Sequence, residues 1–155
     1  MTNFWKNKKI LITGINGFIG SNLAKQLVFQ KAKVFGIYSR NNKNLKFLVG
    51  EDYKKISLVK INLLNYNLIN KFINKNNFQF VFHLAAQSDM IESIKKPYET
   101  LEKNIRGSYN LLNSFLKNKA VKSILITSSD RVYGANKNKG FKKFNEDTSL
   151  NPIFP

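Results

Sequence analysis

The residues best placed to do chemistry lie near the start of the chain. Thr13-Gly14-Ile15-Asn16-Gly17-Phe18-Ile19-Gly20 sets glycine at positions 14, 17 and 20. Without a Cβ, Gly14 and Gly17 permit a tight turn and a close approach of backbone to a phosphate. Gly20 lets a following helix pack closely on its sheet, while the helix N-terminus offers N–H groups and positive dipole to an anion. That chemistry requires a strand before the turn and a helix after it; otherwise such glycines mark a structural turn only. His83 is the one histidine and there is no cysteine, so disulfides, thiolate metal sites and multi-histidine metal sites are all excluded. At the end of an apolar run, His83 reads as a packed imidazole in preference to a proton carrier.

Elements able to hold the turn stand on both sides of it. Lys9–Thr13 is short and apolar on both faces, as a buried parallel strand is. Residues 18–30 then carry Ile19, Leu23, Leu27 and Val28 at helical spacing. Four further strands are predicted over residues 33–38, 56–62, 78–86 and 121–128. Leu68, Ile69, Phe72 and Ile73 return to helical spacing over Tyr66–Asn76. Pro97 suits a helix first turn, and residues 98–117 are predicted to run on as one long helix. Strand and helix alternating in this way imply an α/β fold, a Rossmann-type doubly wound parallel sheet with helices on both faces. Residues 39–55 give no clear pattern, and residues 134–150 read as a polar loop. No linker or repeat divides residues 1–155, so one domain is expected. Phe78, Phe80 and Phe82 are expected to pack in its core instead of stacking on bases.

Composition narrows the partners. Hydrophobic residues make up 43% of the 155, enough for a real core. No run approaches the ~20 apolar residues that cross a membrane. Residues 1–9 lack the apolar stretch of a signal peptide, so a cytoplasmic protein with no membrane partner is expected. The net charge of +17 would attract any polyanion. Yet the lysines are scattered and only Arg40, Arg106 and Arg131 are arginines, whereas base-reading proteins lean on arginine forks. Nucleic acid is therefore not the expected partner; a small anion is. The lysine-rich residues 137–143 read as solvated surface.

Four segments together resemble a known family. They are the turn Thr-Gly-x-x-Gly-Phe-Ile-Gly, then His83-Leu84-Ala85-Ala86-Gln87, then Asn104-Ile105-Arg106-Gly107, and Ser128-Ser129-Asp130-Arg131-Val132-Tyr133-Gly134. In this order they resemble the extended short-chain dehydrogenase/reductase family, which acts largely on nucleotide sugars. Phe4-Trp5-Lys6-Asn7-Lys8 is similar to the CDP-glucose 4,6-dehydratase group within it. The resemblance implies that Gly14, Asn16, Gly17, Phe18, Ile19 and Gly20 hold a nicotinamide dinucleotide. Leu84, Ala85, Ala86 and Gln87 would border it, with Asn104 near its nicotinamide side and Thr127 at the end of the fifth strand. Asn62, followed by Leu63, stands where the family often has an aspartate reaching the adenine. An NAD site usually carries an acid after the second strand, but here Tyr38-Ser39-Arg40-Asn41 has none. Arg40 could accept a 2′-phosphate, stack on adenine or face solvent, so NAD and NADP both stay open.

The resemblance also assigns reaction roles. Ser129 would hydrogen-bond the reacting oxygen of the sugar. Asp130 matches the acid of the 4,6-dehydratases, which protonates the departing 6-hydroxyl; 4-epimerases generally have a small residue there. A surface aspartate capping a turn is the plainer reading of Asp130. Arg131 stands where dehydratases place glutamate or lysine, and a guanidinium cannot act as a base. It could stabilise an enolate-like intermediate or a phosphate. The family's Tyr-x-x-x-Lys pair has no counterpart after Gly134. The expectation is thus a nucleotide-binding half that binds dinucleotide weakly and does not turn over. Its parent would be a dehydratase, oxidising C4, eliminating water across C5–C6 and reducing C6, and a homodimer. A 4-epimerase or reductase of the same family, and a non-catalytic dinucleotide- or nucleic-acid-binding protein, are the alternatives.

Overall fold

The computed structural model of the chain describes residues 3–39, 51–134 and 143–152. Five parallel strands form its sheet: β1 (Lys9–Thr13), β2 (Lys33–Tyr38), β3 (Ser57–Lys60), β4 (Phe80–His83) and β5 (Ser123–Ile126). Their order is β3-β2-β1-β4-β5. The chain winds outward from β1 in one direction to β3 and in the other to β5, so β1 and β4 meet at the point where the winding reverses. In such sheets the crevice beyond the carboxyl ends of these two strands receives ligands.

The periodicity of β1 explains why it is central. Ile10 and Ile12 point to one face, where they join Ile15, Ala24, Leu27, Val28, Val34 and Ile56 beneath α1 (Phe18–Phe29). Leu11 points to the other, among Ile37, Ile69, Ile73, Phe78, Val81, Leu111 and Phe115. That second face is covered by α2 (Tyr66–Asn76) and by α5 (Gly107–Phe115). Each fully buried isoleucine, leucine or phenylalanine contributes roughly 1.5–3 kcal/mol against the cost of ordering the chain. The sheet is thus clamped between two apolar layers, as the alternation of elements predicts.

Three local expectations are corrected. The region read as a single helix over residues 98–117 is helical from Pro97 to Phe115 but not uniform: α4 (Pro97–Leu101) passes through a π-helical turn at Glu102–Arg106 into α5, and a separate short α3 (Met90–Lys95) precedes it. The fourth and fifth strands are shorter than their apolar runs, because ladder pairing follows partners: β4 pairs with β1 from Ile10↔Phe80 to Thr13↔His83 and with β5 from Phe80↔Ser123 to His83↔Ile126. The third strand likewise keeps only the residues that face Phe35 to Tyr38. Phe78 is buried against Phe35 and Phe72, with ring centroids 5.2 and 5.5 Å apart. Phe80 and Phe82 pack on Trp5 at 5.1 and 6.1 Å, so the Phe4-Trp5 opening serves as a lid on β4.

Candidate functional site

The glycine turn lies at the carboxyl end of β1. Gly14 has φ +70°, and its N–H donates to the Ile37 carbonyl at 3.2 Å. A Cβ there would sit 2.7 Å from the Leu84 carbonyl oxygen and 2.8 Å from the Ala85 nitrogen. The turn closes with the Gly17 N–H on the Gly14 carbonyl at 3.0 Å. A Cβ on Gly20 would overlap that same carbonyl, which is why α1 can lie directly on the turn. Ile15 is fully buried and fills the space that Gly36 of β2 leaves, while Asn16 is half-buried. Gly17 caps α1 in extended conformation; the helix has no side-chain cap and no acidic residue in its first turn. Phe18 and Ile19 are 68% and 64% exposed, an apolar pair standing at the mouth of the turn.

The loop after β4 forms the opposite wall. The Leu84 N–H reaches the Thr13 carbonyl at 3.2 Å, and the Ala85 N–H reaches Thr13 Oγ1 at 3.3 Å. Leu84 and Ala85 are half-buried, and Ala86 is exposed. Asn104, in the π-helical turn, accepts from the Gln87 N–H at 2.7 Å and donates to the Gln87 carbonyl at 3.1 Å. Its amide is therefore occupied by backbone and fixes where Gln87 points. Gln87 Nε2 is buried with no partner among the described residues. A tight turn whose glycines leave no room for a Cβ, an uncapped helix start and an unsatisfied amide donor fit a polyoxygenated anion such as a dinucleotide.

His83 lies beneath this wall, 3% exposed, between Thr13 Oγ1 at 2.6 Å and Ser108 Oγ at 2.7 Å. Burial lowers its pKa from the ordinary 6.5, because a charged imidazole there loses its hydration. The packed imidazole expected from sequence is present, but its two hydroxyl partners are new. Ser108 stands one helical turn after Asn104, and Thr13 stands just before the glycines; only that proximity hinted at them. Asn110 is a further addition, donating to the Leu63 carbonyl at 2.9 Å.

The other candidates sit around the same sheet edge. Asn62 is exposed after β3, its Oδ1 accepting from the Leu64 N–H at 3.0 Å. Leu63 is half-buried, and a Cβ on Gly107 would lie 3.3 Å from its own, so the glycine of the Asn-x-x-Gly motif serves helix packing. Thr127 donates to the His83 carbonyl from both N–H and Oγ1 at 3.2 Å. Ser129, Asp130 and Arg131 are exposed beyond β5, on the sheet edge that the turn also occupies. Ser129, not Asp130, caps the 3₁₀ turn Asp130–Tyr133: its Oγ accepts from the Arg131 N–H at 3.2 Å. Tyr133 stacks on Phe144 at 5.1 Å, and the Asn151 N–H bonds the Val132 carbonyl, so residues 144–151 fold back against this turn. Arg40 lies outside the described residues. Among the described residues no cluster of three or more His, Cys, Asp or Glu could hold a metal.

A sequence profile of the family described as GDP-mannose 4,6 dehydratase matches residues 11–155. The chain is 34% identical over 162 residues to the dTDP-D-glucose 4,6-dehydratase of Dictyostelium discoideum, covering 96% of this chain and 37% of that one. Other curated relatives carry decarboxylase and epimerase names. The chain spans about two fifths of the length of the curated relatives it matches. Among solved structures it superposes on the UDP-glucose 4-epimerase of Thermotoga maritima with UDP-glucose, at TM-score 0.81 and 25% identity, over 94% of this chain and 45% of that one. The Bordetella bronchiseptica enzyme WbmH in complex with NAD+ matches at TM-score 0.74 and 26% identity, over 94% and 47%.

Proposed function

Since this chain belongs to the GDP-mannose 4,6 dehydratase family of extended short-chain dehydrogenases/reductases, we propose that it is the dinucleotide-binding part of a nucleotide-sugar 4,6-dehydratase. The observation that carries the reading is the Gly14 turn at the switch point between β1 and β4, on the sheet edge that also bears Ser129 and Asp130. Gly14 to Gly20 would hold the pyrophosphate through backbone N–H groups. Residues 84–87, fixed by Asn104, would border the nicotinamide half, and Asn62 and Leu63 the adenine half. A nicotinamide dinucleotide supplies a reversible hydride acceptor when bound there.

The remaining chemistry belongs to side chains. Ser129 would hydrogen-bond the sugar oxygen at C4. Asp130 would give its proton to the hydroxyl leaving C6 as water, while the proton lost from C5 goes to a base other than the permanently cationic Arg131. Arg131, cationic throughout, would balance negative charge developing on the sugar or its phosphates. A dehydratase is favoured over a 4-epimerase because Asp130 follows Ser129, and an epimerase eliminates nothing. Residues 135–155 contain no Tyr-x-x-x-Lys, so no residue of this chain is assigned to take the sugar proton.

The deciding experiment replaces Asp130 by Asn in an active protein that contains this chain. Oxidation at C4 of the nucleotide sugar is expected to persist, seen as reduced dinucleotide, while 6-deoxy-4-keto product falls by about 10²-fold or more. Equal loss of both would remove Asp130 from the elimination. Titration of the chain with NAD+ and NADP+ decides between the cofactors.

A further inference from the structure

The polar groups beneath the two walls form one directional path. At one end the Ala85 N–H donates to Thr13 Oγ1, and at the other Ser108 Oγ donates to the Asn104 carbonyl at 2.6 Å. His83 lies between, its Nδ1 on Thr13 and its Nε2 on Ser108. A hydroxyl has one proton to give. Ser108 gives its proton to Asn104, so toward His83 it accepts, and the imidazole proton sits on Nε2. Nδ1 is then a lone pair, and Thr13 donates to it. Asn104 carries the path onward through its amide to the backbone of Gln87. The sequence of contacts 85, 13, 83, 108, 104, 87 starts and ends in the same loop.

We propose that neutral, Nε2-protonated His83 is a positioning residue that sets the spacing between the Gly14 turn and the loop 84–87. The idea rests on the dinucleotide reading and adds a residue that reading does not use. Thr13 belongs to β1, Ser108 to α5 and His83 to β4, so one imidazole ties together three elements that meet at the rim. Without it, Thr13 still holds Leu84 and Ala85 directly, but α5, and through Asn104 the Gln87 end of the loop, loses its side-chain tie to β1 and the Gly14 turn. A ligand held by one wall would feel little of this, and a ligand held by both would feel all of it.

His83 is the chain's one histidine, so a long-range ¹H–¹⁵N spectrum of the purified protein reads its tautomer directly. A proton on Nε2 is expected; a proton on Nδ1, or averaging between the nitrogens, overturns the proposal. AMP and NAD+ are then titrated into wild type, Ser108→Ala and Ser108→Thr. Ser108→Ala is expected to weaken NAD+ about tenfold and AMP by less than about twofold, the scale of one lost hydrogen bond felt by one ligand only. Ser108→Thr, which keeps the hydroxyl, restores NAD+ binding. Equal weakening of both ligands, or no rescue by threonine, reduces the network to ordinary packing and overturns the role. NAD+ bound equally by all three proteins overturns it too, while leaving the dinucleotide reading intact. A wild type that binds neither ligand removes the dinucleotide reading itself, and the role of His83 with it.

Discussion

Gly14 is constrained twice, by its dihedral and by its neighbours. At φ +70° an alanine would be strained, and its methyl would meet the Leu84 carbonyl at 2.7 Å. Gly14→Ala is expected to cost about 1–3 kcal/mol in denaturant titrations and to abolish dinucleotide binding. A variant as stable as wild type would show that the turn can relax. His83 makes a separate, pH-dependent contribution. Burial sets its folded pKa below 6.5, so between those two values the unfolded chain binds more protons than the folded one. The stability that neutral His83 contributes is full above the unfolded pKa. It is lost as pH falls through the lowered folded value and does not change further below it. Urea midpoints compared between about pH 8 and pH 5 should therefore fall on acidification, and the fall should shrink in His83→Gln, which does not titrate. An identical pH profile for both proteins would show that the imidazole is not the group responsible.

Elements were legible in the sequence where local pattern decides them. The bounds of β1, β2 and α2 match the apolar periodicity because each is held by residues at that spacing. The long helix shows the limit. Leu101, Ile105, Tyr109 and Leu112 keep helical spacing across the π-helical turn, so periodicity has no means of signalling it. What accompanies the π-helical turn is tertiary: the Asn104 amide reaches across to the backbone of Gln87, 17 positions earlier. The glycine turn was readable for the opposite reason, since its demands are local. The hydroxyls on His83 were not, because Ser108 meets it from 25 positions away. The short α3 escaped too, although Asp89 caps it by accepting from the Glu92 N–H at 2.9 Å. Asn104→Ala tests that link to the π-helical turn. Loss of two hydrogen bonds is expected to cost about 1–3 kcal/mol and to speed amide exchange in residues 86–87. Unchanged exchange there would mean that the turn is set by helix packing instead.

At the scale of the whole molecule, charge and catalytic capacity must be reconciled with a nucleotide-sized ligand. A chain of net charge +17 will hold polyanions at low salt whatever it evolved to bind, so retention on RNA by itself discriminates nothing. Salt does discriminate. Scattered lysines release their counterions independently, and binding without base contacts should vanish by about 0.2 M salt. A dinucleotide has only two phosphates, and the cradle proposed to hold them is backbone geometry at Gly14 and Gly17, not net charge. Its binding should therefore weaken far less over the same range. The expected pattern is thus loss of RNA and retention of NAD+ between about 50 mM and 200 mM salt, read by titrating both into the same preparation. The reverse pattern would make the basic surface the functional one and the Gly14 turn a structural relic. With nucleotide sugar added under conditions that keep NAD+ bound, no product should form from the chain on its own. Measurable turnover would mean that a residue outside the Tyr-x-x-x-Lys pattern takes the sugar proton, and the half-enzyme reading would fall with that result.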